Sequence, residues 1–275
     1  MSDGLVRYET EGNIAIVTMN RPEKLNAVNE KLRSGVSETL LRADEDKSVS
    51  VVVLRSEGRA FCVGYDIDND SPERAARRFD ALKWRESLTE DLRFEMVPWY
   101  MKKPVIASVQ GHALGGGCEL TMFCDVTIAA DNAIFGEPEI HFSNAGPAIV
   151  MPWMIGLKKA RELLYFGDMI DAETALALGM INRVVPLEEL HEKTMRFAKR
   201  MALISPEALE QTKLAINRGA DAAGFTNAMN AGLDVLAPLY AAKTDVGVQF
   251  TEIRQKEGLR AALKWRRDQF KEYED

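Results

Sequence analysis

Residues 104–125 read PVIASVQGHALGGGCELTMFCD. The run from Val105 to Val109 is short, apolar and β-branched, which predicts a buried strand. Three consecutive glycines follow, Gly115 to Gly117, and then a helix-forming stretch that carries Glu119 in its first turn. Glycine lets a backbone come close to a ligand, and a helix start leaves amide N–H groups without intrahelical acceptors. Such an amide can stabilise a developing oxyanion. Gly116 and Glu119 are three apart and share a helix face, so the amide and the carboxylate can address one small volume. A plainer reading stands beside this one: the glycines only allow tight strand-to-helix packing, and Glu119 is a solvated first-turn acid favoured by the helix dipole.

Outward from this stretch, similar runs recur at Ile14 to Met19, Val49 to Leu54 and Val126 to Ala130, each bounded by Gly, Asn, Asp or charged residues. The segment from Glu73 to Tyr100 is rich in Arg, Ala, Leu and Glu, and the helical pattern stops at Lys103 before Pro104. The alternation predicts an α/β core. After Val185-Pro186 almost everything is helix-forming, and Ser205-Pro206-Glu207 offers an N-cap, a proline at the first helical position and a first-turn acid. This places a core over 1–203 and a helical C-terminal region over 204–275 that packs on the core or on a neighbouring subunit.

With 275 residues, 46% hydrophobic and 28% charged, the chain can bury a large interior, which excludes a disordered protein. No apolar run approaches the roughly eighteen residues of a membrane span. The N-terminus, MSDGLVRYETEGN, lacks the apolar segment of a secretory signal, and Cys62, Cys118 and Cys124 form an odd set without metal-like pairing. These features predict free thiols, a cytoplasmic location and no zinc site. A net charge of −7 argues against a nucleic-acid-coating surface. GHALGGG lacks the GxGxxG spacing of dinucleotide binding, and neither a GxxxxGK[ST] phosphate loop nor a GxSxG elbow is present.

Five segments, in order, resemble the crotonase (enoyl-CoA hydratase/isomerase) superfamily. They are NRPEKLNAV (20–28), RAFCVGYDI (59–67), KPVIASVQGHALGGGCELTMFCDVTIAA (103–130), FGEPEI (135–140) and QKEGLRAALKWRRDQF (255–270). The resemblance implies a spiral of ββα units with a helical C-terminal region, assembled as trimers or dimers of trimers. It implies an acyl-CoA substrate and no separate cofactor, coenzyme A arriving as part of the substrate. It implies two oxyanion-hole amides, the backbone N–H groups of Tyr65 and Gly116, and a pair of catalytic glutamates at Glu119 and Glu139.

Carried over by motif position, Glu119 is the base and Glu139 the acid in hydration of a 2-enoyl thioester. Water addition to the β-carbon generates an enolate oxygen that needs stabilising, while a carboxylate activates the water and a carboxyl protonates the α-carbon. On the coenzyme side the resemblance points to Lys24 and Leu25, to the stretch through Asp66, Ile67 and Asp68, and to Lys271 acting from a neighbouring subunit. Asp68 stands where the family's hydratases carry a lysine, which weakens a phosphate contact there. Glu137 is expected to be a solvated or salt-bridged loop acid, although one that pointed the same way as Glu139 would raise a pKa by like-charge coupling.

The pattern breaks after Glu139, where the chain continues HFSNAGPAIVMPWMIG (141–156). Pro147 stands where the family offers an amide to the catalytic water, and proline has no N–H. Ile149, Val150 and Trp153 replace two glycines and an arginine, and they either reshape the acyl end of the pocket or pack beneath it. His112 and His141 are expected to be structural. Beside hydration stand another reaction through a thioester enolate (isomerisation, C–C cleavage or thioester hydrolysis) and a catalytically inactive binding scaffold.

Overall fold

The apolar runs alternate their side chains between two cores, as strands covered on both faces must. In the computed structural model, which describes residues 4–67 and 76–273, six strands form one sheet in the order β1 (Val6–Glu11), β2 (Ile14–Met19), β3 (Val51–Ser56), β4 (Val105–Val109), β6 (Val126–Ala130) and β9 (Arg183–Val185). The β1–β2 pair is antiparallel and the other pairings in this sheet are parallel. One face presents Val17, Leu54 and Ala107 to a large apolar cluster, and the alternate residues Ile16, Val53 and Ile106 face a smaller one. The smaller cluster is closed by Leu190, Met195 and Ala198 of the Leu190–Met201 helix.

A second sheet holds β5 (His112–Leu114), β7 (Ile134–Gly136) and β8 (Met169–Asp171). β4 and β6 lie in the large sheet, while their successors β5 and β7 lie in the small one. Each pair then leads into helical turns. This repeat is the expected spiral of ββα units. The short strands β5, β7 and β8 span three residues each and carry too little periodicity to be read from sequence.

Among the described residues the expected helix over 73–100 is interrupted twice: a turn at 78–79 precedes Ala81–Glu95, and Met96, which leaves helical geometry ahead of Pro98, divides that helix from Val97–Tyr100. Residues 73–75 of that expectation lie outside the described residues. Asp80 caps the first of these helices by accepting from Leu82 N and Lys83 N. Farther on, Ser205 accepts from Ala208 N, with Pro206 in the first turn. That Pro206–Ala222 helix is anchored by Lys213, whose Nζ donates to Pro98 O at 2.6 Å and pairs with Asp125 at 2.7 Å. The Phe225–Ala241 helix supplies Met229 and Leu233 to the large cluster, and its Tyr240 ring packs on Trp84 at 4.8 Å. These two helices pack on the core of their own chain. The three cysteines are free and buried, and among the described residues no helix is long and apolar enough to cross a membrane.

Candidate active site

β5 ends at a turn that only glycine can make. Gly115 has φ 53° and ψ −130°, and its N–H is tied to Gly136 O of β7 at 2.9 Å. The helix Gly116–Phe123 starts at the next residue, so the Gly116 N–H is one of the orphan amides of a helix start. Tyr65 supplies a second. Val28 donates to Gly64 O at 2.8 Å and accepts from Asp66 N at 2.9 Å, which turns the Tyr65 N–H to the opposite side. Gly64 abuts the turn closely: a Cβ on it would lie 3.0 Å from Leu114 O and 3.6 Å from Gly116 N. The two expected oxyanion donors thus sit on adjoining loops.

Glu119 is fully buried, which removes the reading of it as a solvated acid. Its Oε1 accepts the Ala148 N–H at 2.8 Å, and Gly146 packs against the same carboxyl. Pro147 itself offers no amide, and the N–H of the next residue is directed at the Glu119 carboxyl. Tyr240 OH fixes this loop by donating to Ala145 O at 2.6 Å. Glu139 stands in the 3-10 turn Pro138–Phe142 and lays its carboxyl over Gly115, where a Cβ would lie 1.9 Å from Oε1. Burial pushes Glu139 up from 4.5 to about 7. Burial, followed by the charges of Glu95 and Glu139, holds Glu119 well above the carboxylate range, against the opposing Ala148 amide.

Two further glutamates close the cluster. Glu137 is only 3% exposed and neither of its oxygens has a hydrogen-bond partner, which corrects the expectation of a solvated or salt-bridged loop acid. Its carboxyl is raised by burial and then by Glu119 and Glu139, the like-charge coupling that the sequence allowed. Glu95 was not singled out in the sequence. It is fully buried, and its Oε1 accepts the Tyr65 hydroxyl at 2.6 Å. A signal for it exists: Leu88, Leu92 and Glu95 follow the i, i+4, i+7 spacing of one buried helix stripe, so an acid falls where the pattern asks for an apolar residue.

A native state that favours protonated carboxyls gains stability from them in full below pH 4.5 and loses it as pH rises through their raised values, about 7 for Glu139. The thermal midpoint is therefore expected to fall between about pH 5.5 and pH 8. In Glu137→Gln a neutral amide replaces one buried carboxyl, which should raise the midpoint at the higher pH by about 2–4 °C and flatten the fall. Calorimetry at the two pH values checks this, and an identical pH dependence in the variant would remove Glu137 from the proton-binding set.

The enoyl-CoA hydratase/isomerase family model matches residues 9–257. The chain belongs to that family. A curated relative from Dictyostelium discoideum, named as a probable mitochondrial enoyl-CoA hydratase, is 33% identical over 216 residues, covering 76% of this chain and 74% of the relative. A crystal structure of an enoyl-CoA hydratase/isomerase from Xanthobacter autotrophicus Py2 matches with a TM-score of 0.92 at 34% identity, covering 97% of this chain and 98% of that one. Another, of a probable enoyl-CoA hydratase from Mycobacterium thermoresistibile, matches with a TM-score of 0.77 at 33% identity over 85% of this chain and 95% of that one.

An open cavity of about 2000 Å³ runs past the family's glycine turn. Tyr65, Leu114, Glu139 and Pro147 reach its wall, with Glu119 buried behind them. Lys24, Leu25, Asp66 and Ile67 also line it. Leu25 adopts a left-handed backbone (φ 52°) at the end of the 3-10 turn Pro22–Lys24. Asp66 pairs with Arg21 at 2.8 Å and so clamps the Arg21–Ala27 loop beside Tyr65. Asp68 lies outside the described residues. Lys271 pairs with Asp268 at 2.9 Å and does not line the cavity of its own chain, whereas Arg260, Lys264 and Arg267 do.

Where this chain departs from the family's hydratase pattern, the replaced side chains pack. Val150 is fully buried, Ile149 lies against the large cluster, and Trp153, though 39% exposed, meets Phe225 edge-on at 5.2 Å. None of the three lines the cavity. His112 and His141 both line the cavity; His141 also stacks on Phe270 at 4.9 Å with Nε2 at 2.5 Å from Phe166 O, while His112 is exposed.

Proposed function

We propose that the chain adds water across the double bond of a 2-enoyl-CoA thioester. The observation that carries this reading is the convergence of the buried Glu119 and the half-buried Glu139 on the turn that presents the Gly116 amide beside Tyr65. The thioester oxygen would accept from the Tyr65 and Gly116 N–H groups. As its C=O gains enolate character, each donor contributes about 2.7–4 kcal/mol of transition-state stabilisation. Glu119 takes one proton from water as the oxygen bonds to the β-carbon, and Glu139 delivers its proton to the α-carbon. The substrate thus gains one water, and the two carboxyls exchange protonation states. A carboxyl poised at about 7 suits the acid, since it is part-protonated at neutral pH.

The cationic side chains of Lys24, Arg260, Lys264 and Arg267 on the cavity wall suit the phosphates of coenzyme A. No separate cofactor enters this scheme. Assembly as a trimer or a dimer of trimers belongs to the same proposal, supported by the exposed apolar side chains of Leu157, Tyr165, Phe166 and Met169. Incubation with crotonyl-CoA should bleach the conjugated-thioester absorbance, and light scattering on the same preparation should return a trimeric or hexameric mass. Coenzyme A binding without turnover of any short or medium enoyl chain would sink the hydratase reading.

A further inference from the structure

Glu95 and Glu119 reach each other from two helices, at the end of Ala81–Glu95 and in the first turn of Gly116–Phe123. Both are fully buried, Glu95 Oε1 lies 2.7 Å from where a Cβ on Gly116 would stand, at the start of the helix that carries Glu119, and the two carboxyls lie within hydrogen-bonding reach of each other. One oxygen of each is already occupied: Tyr65 O–H donates to Glu95 Oε1 at 2.6 Å, and Ala148 N–H donates to Glu119 Oε1 at 2.8 Å. The other oxygen of each, Oε2, is buried with no protein donor. Two carboxyls in contact and out of water cannot both ionise, so the contact needs one proton.

The surroundings decide which carboxyl keeps it. Glu119 has a backbone amide aimed at it and sits at a helix N-terminus, and both features favour its charged form. Glu95 sits at a helix C-terminus, one turn beyond Asp91, and both features disfavour charge there. The Tyr65 hydroxyl favours charge on Glu95 as the Ala148 amide favours it on Glu119, so these two contacts offset each other, and the helix ends and Asp91 decide. The other titratable groups around the pair are Glu137, Glu139 and Tyr240, while Arg33 is engaged by Asp91 at 2.6 Å.

We propose that Glu95 is a positioning residue for Glu119: it stays protonated and donates a hydrogen bond that keeps the adjacent Glu119 carboxylate ionised, oriented by Tyr65. The inference rests on the hydratase reading for its catalytic consequence, but not for the location of the proton. Glu95 touches no reacting atom. It lets a fully buried group act as a base at neutral pH.

The test compares the full-length protein with Glu95→Gln and Glu95→Leu. The infrared difference between wild type and Glu95→Gln near neutral pH should contain the C=O stretch of a protonated carboxyl. Carboxylate bands alone would overturn the proposal, whether or not the protein turns over any substrate. This reading also stands if Glu95→Leu does not fold. In hydration assays Glu95→Leu should move the acidic limb of the kcat profile to higher pH by at least about one unit, a tenfold loss below it that recovers in alkali. Glu95→Gln can accept from Tyr65 and donate to Glu119, so it should restore most of kcat at pH 7. An unmoved limb in folded Glu95→Leu, or a Gln variant as impaired as the Leu variant, would also overturn the proposal. Absence of hydration in the wild type, with the protonated carboxyl present, would overturn the reaction and leave the proton on Glu95.

Discussion

Glu119→Gln is expected to lower kcat for enoyl-CoA hydration by about 10²–10⁴ while leaving coenzyme A binding within a fewfold of wild type, as loss of a general base does. The variant is nearly isosteric, so the Ala148 N–H keeps an acceptor in the amide oxygen and the loop over 144–148 has no reason to move. It removes one carboxyl from a cluster that already contains Glu95, Glu137 and Glu139. The fold should therefore be no less stable than wild type at alkaline pH. The decisive comparison is kcat against the affinity for a non-reacting acyl-CoA. A loss below about tenfold in kcat would mean that the proton of the attacking water goes elsewhere.

Gly115→Ala should be as damaging by a different route. The position combines φ 53° with ψ −130°, a conformation that side-chain-bearing residues avoid at a cost of about 1–3 kcal/mol. The added Cβ would lie 1.9 Å from Glu139 Oε1, so the carboxyl must leave its place over the turn. The same turn aims the Gly116 amide. Acid and oxyanion donor are thus disturbed together, and a fall in kcat of about 10³ or more is expected alongside a lower thermal midpoint. Gly12→Ala separates the two causes, because Gly12 also has a positive φ (59°) but a Cβ there meets nothing within 4 Å. It should lose stability and keep kcat. Equal losses of kcat in the two variants would show that strain alone, not displacement of Glu139, accounts for the effect.

Much of this arrangement is written in short-range signals. β2, β4 and β6 lie where β-branched runs placed them, since a strand buried on both faces must be apolar throughout. The helix after Gly115 and the Ser205 cap follow from φ freedom and side-chain capping, which act within a few residues. Family resemblance then marked Glu119 and Glu139. Glu137 departs from the expected solvated acid because nothing near it in the chain tells whether water reaches it. Its solvent is excluded by the same packing that brings Glu119 and Glu139 to it.

The sequence by itself determined the α/β core and the glycine turn, because periodicity, backbone freedom and capping are local properties, and its family resemblance pointed to Glu119 and Glu139. Only the tertiary structure decided that the Ala148 amide meets Glu119, that Trp153 meets Phe225 away from the pocket wall, and that Glu95 meets Glu119. Each of these contacts joins residues from separate elements. Burial and proton sharing depend on which elements exclude water from the same point, and that is fixed only when the whole core closes.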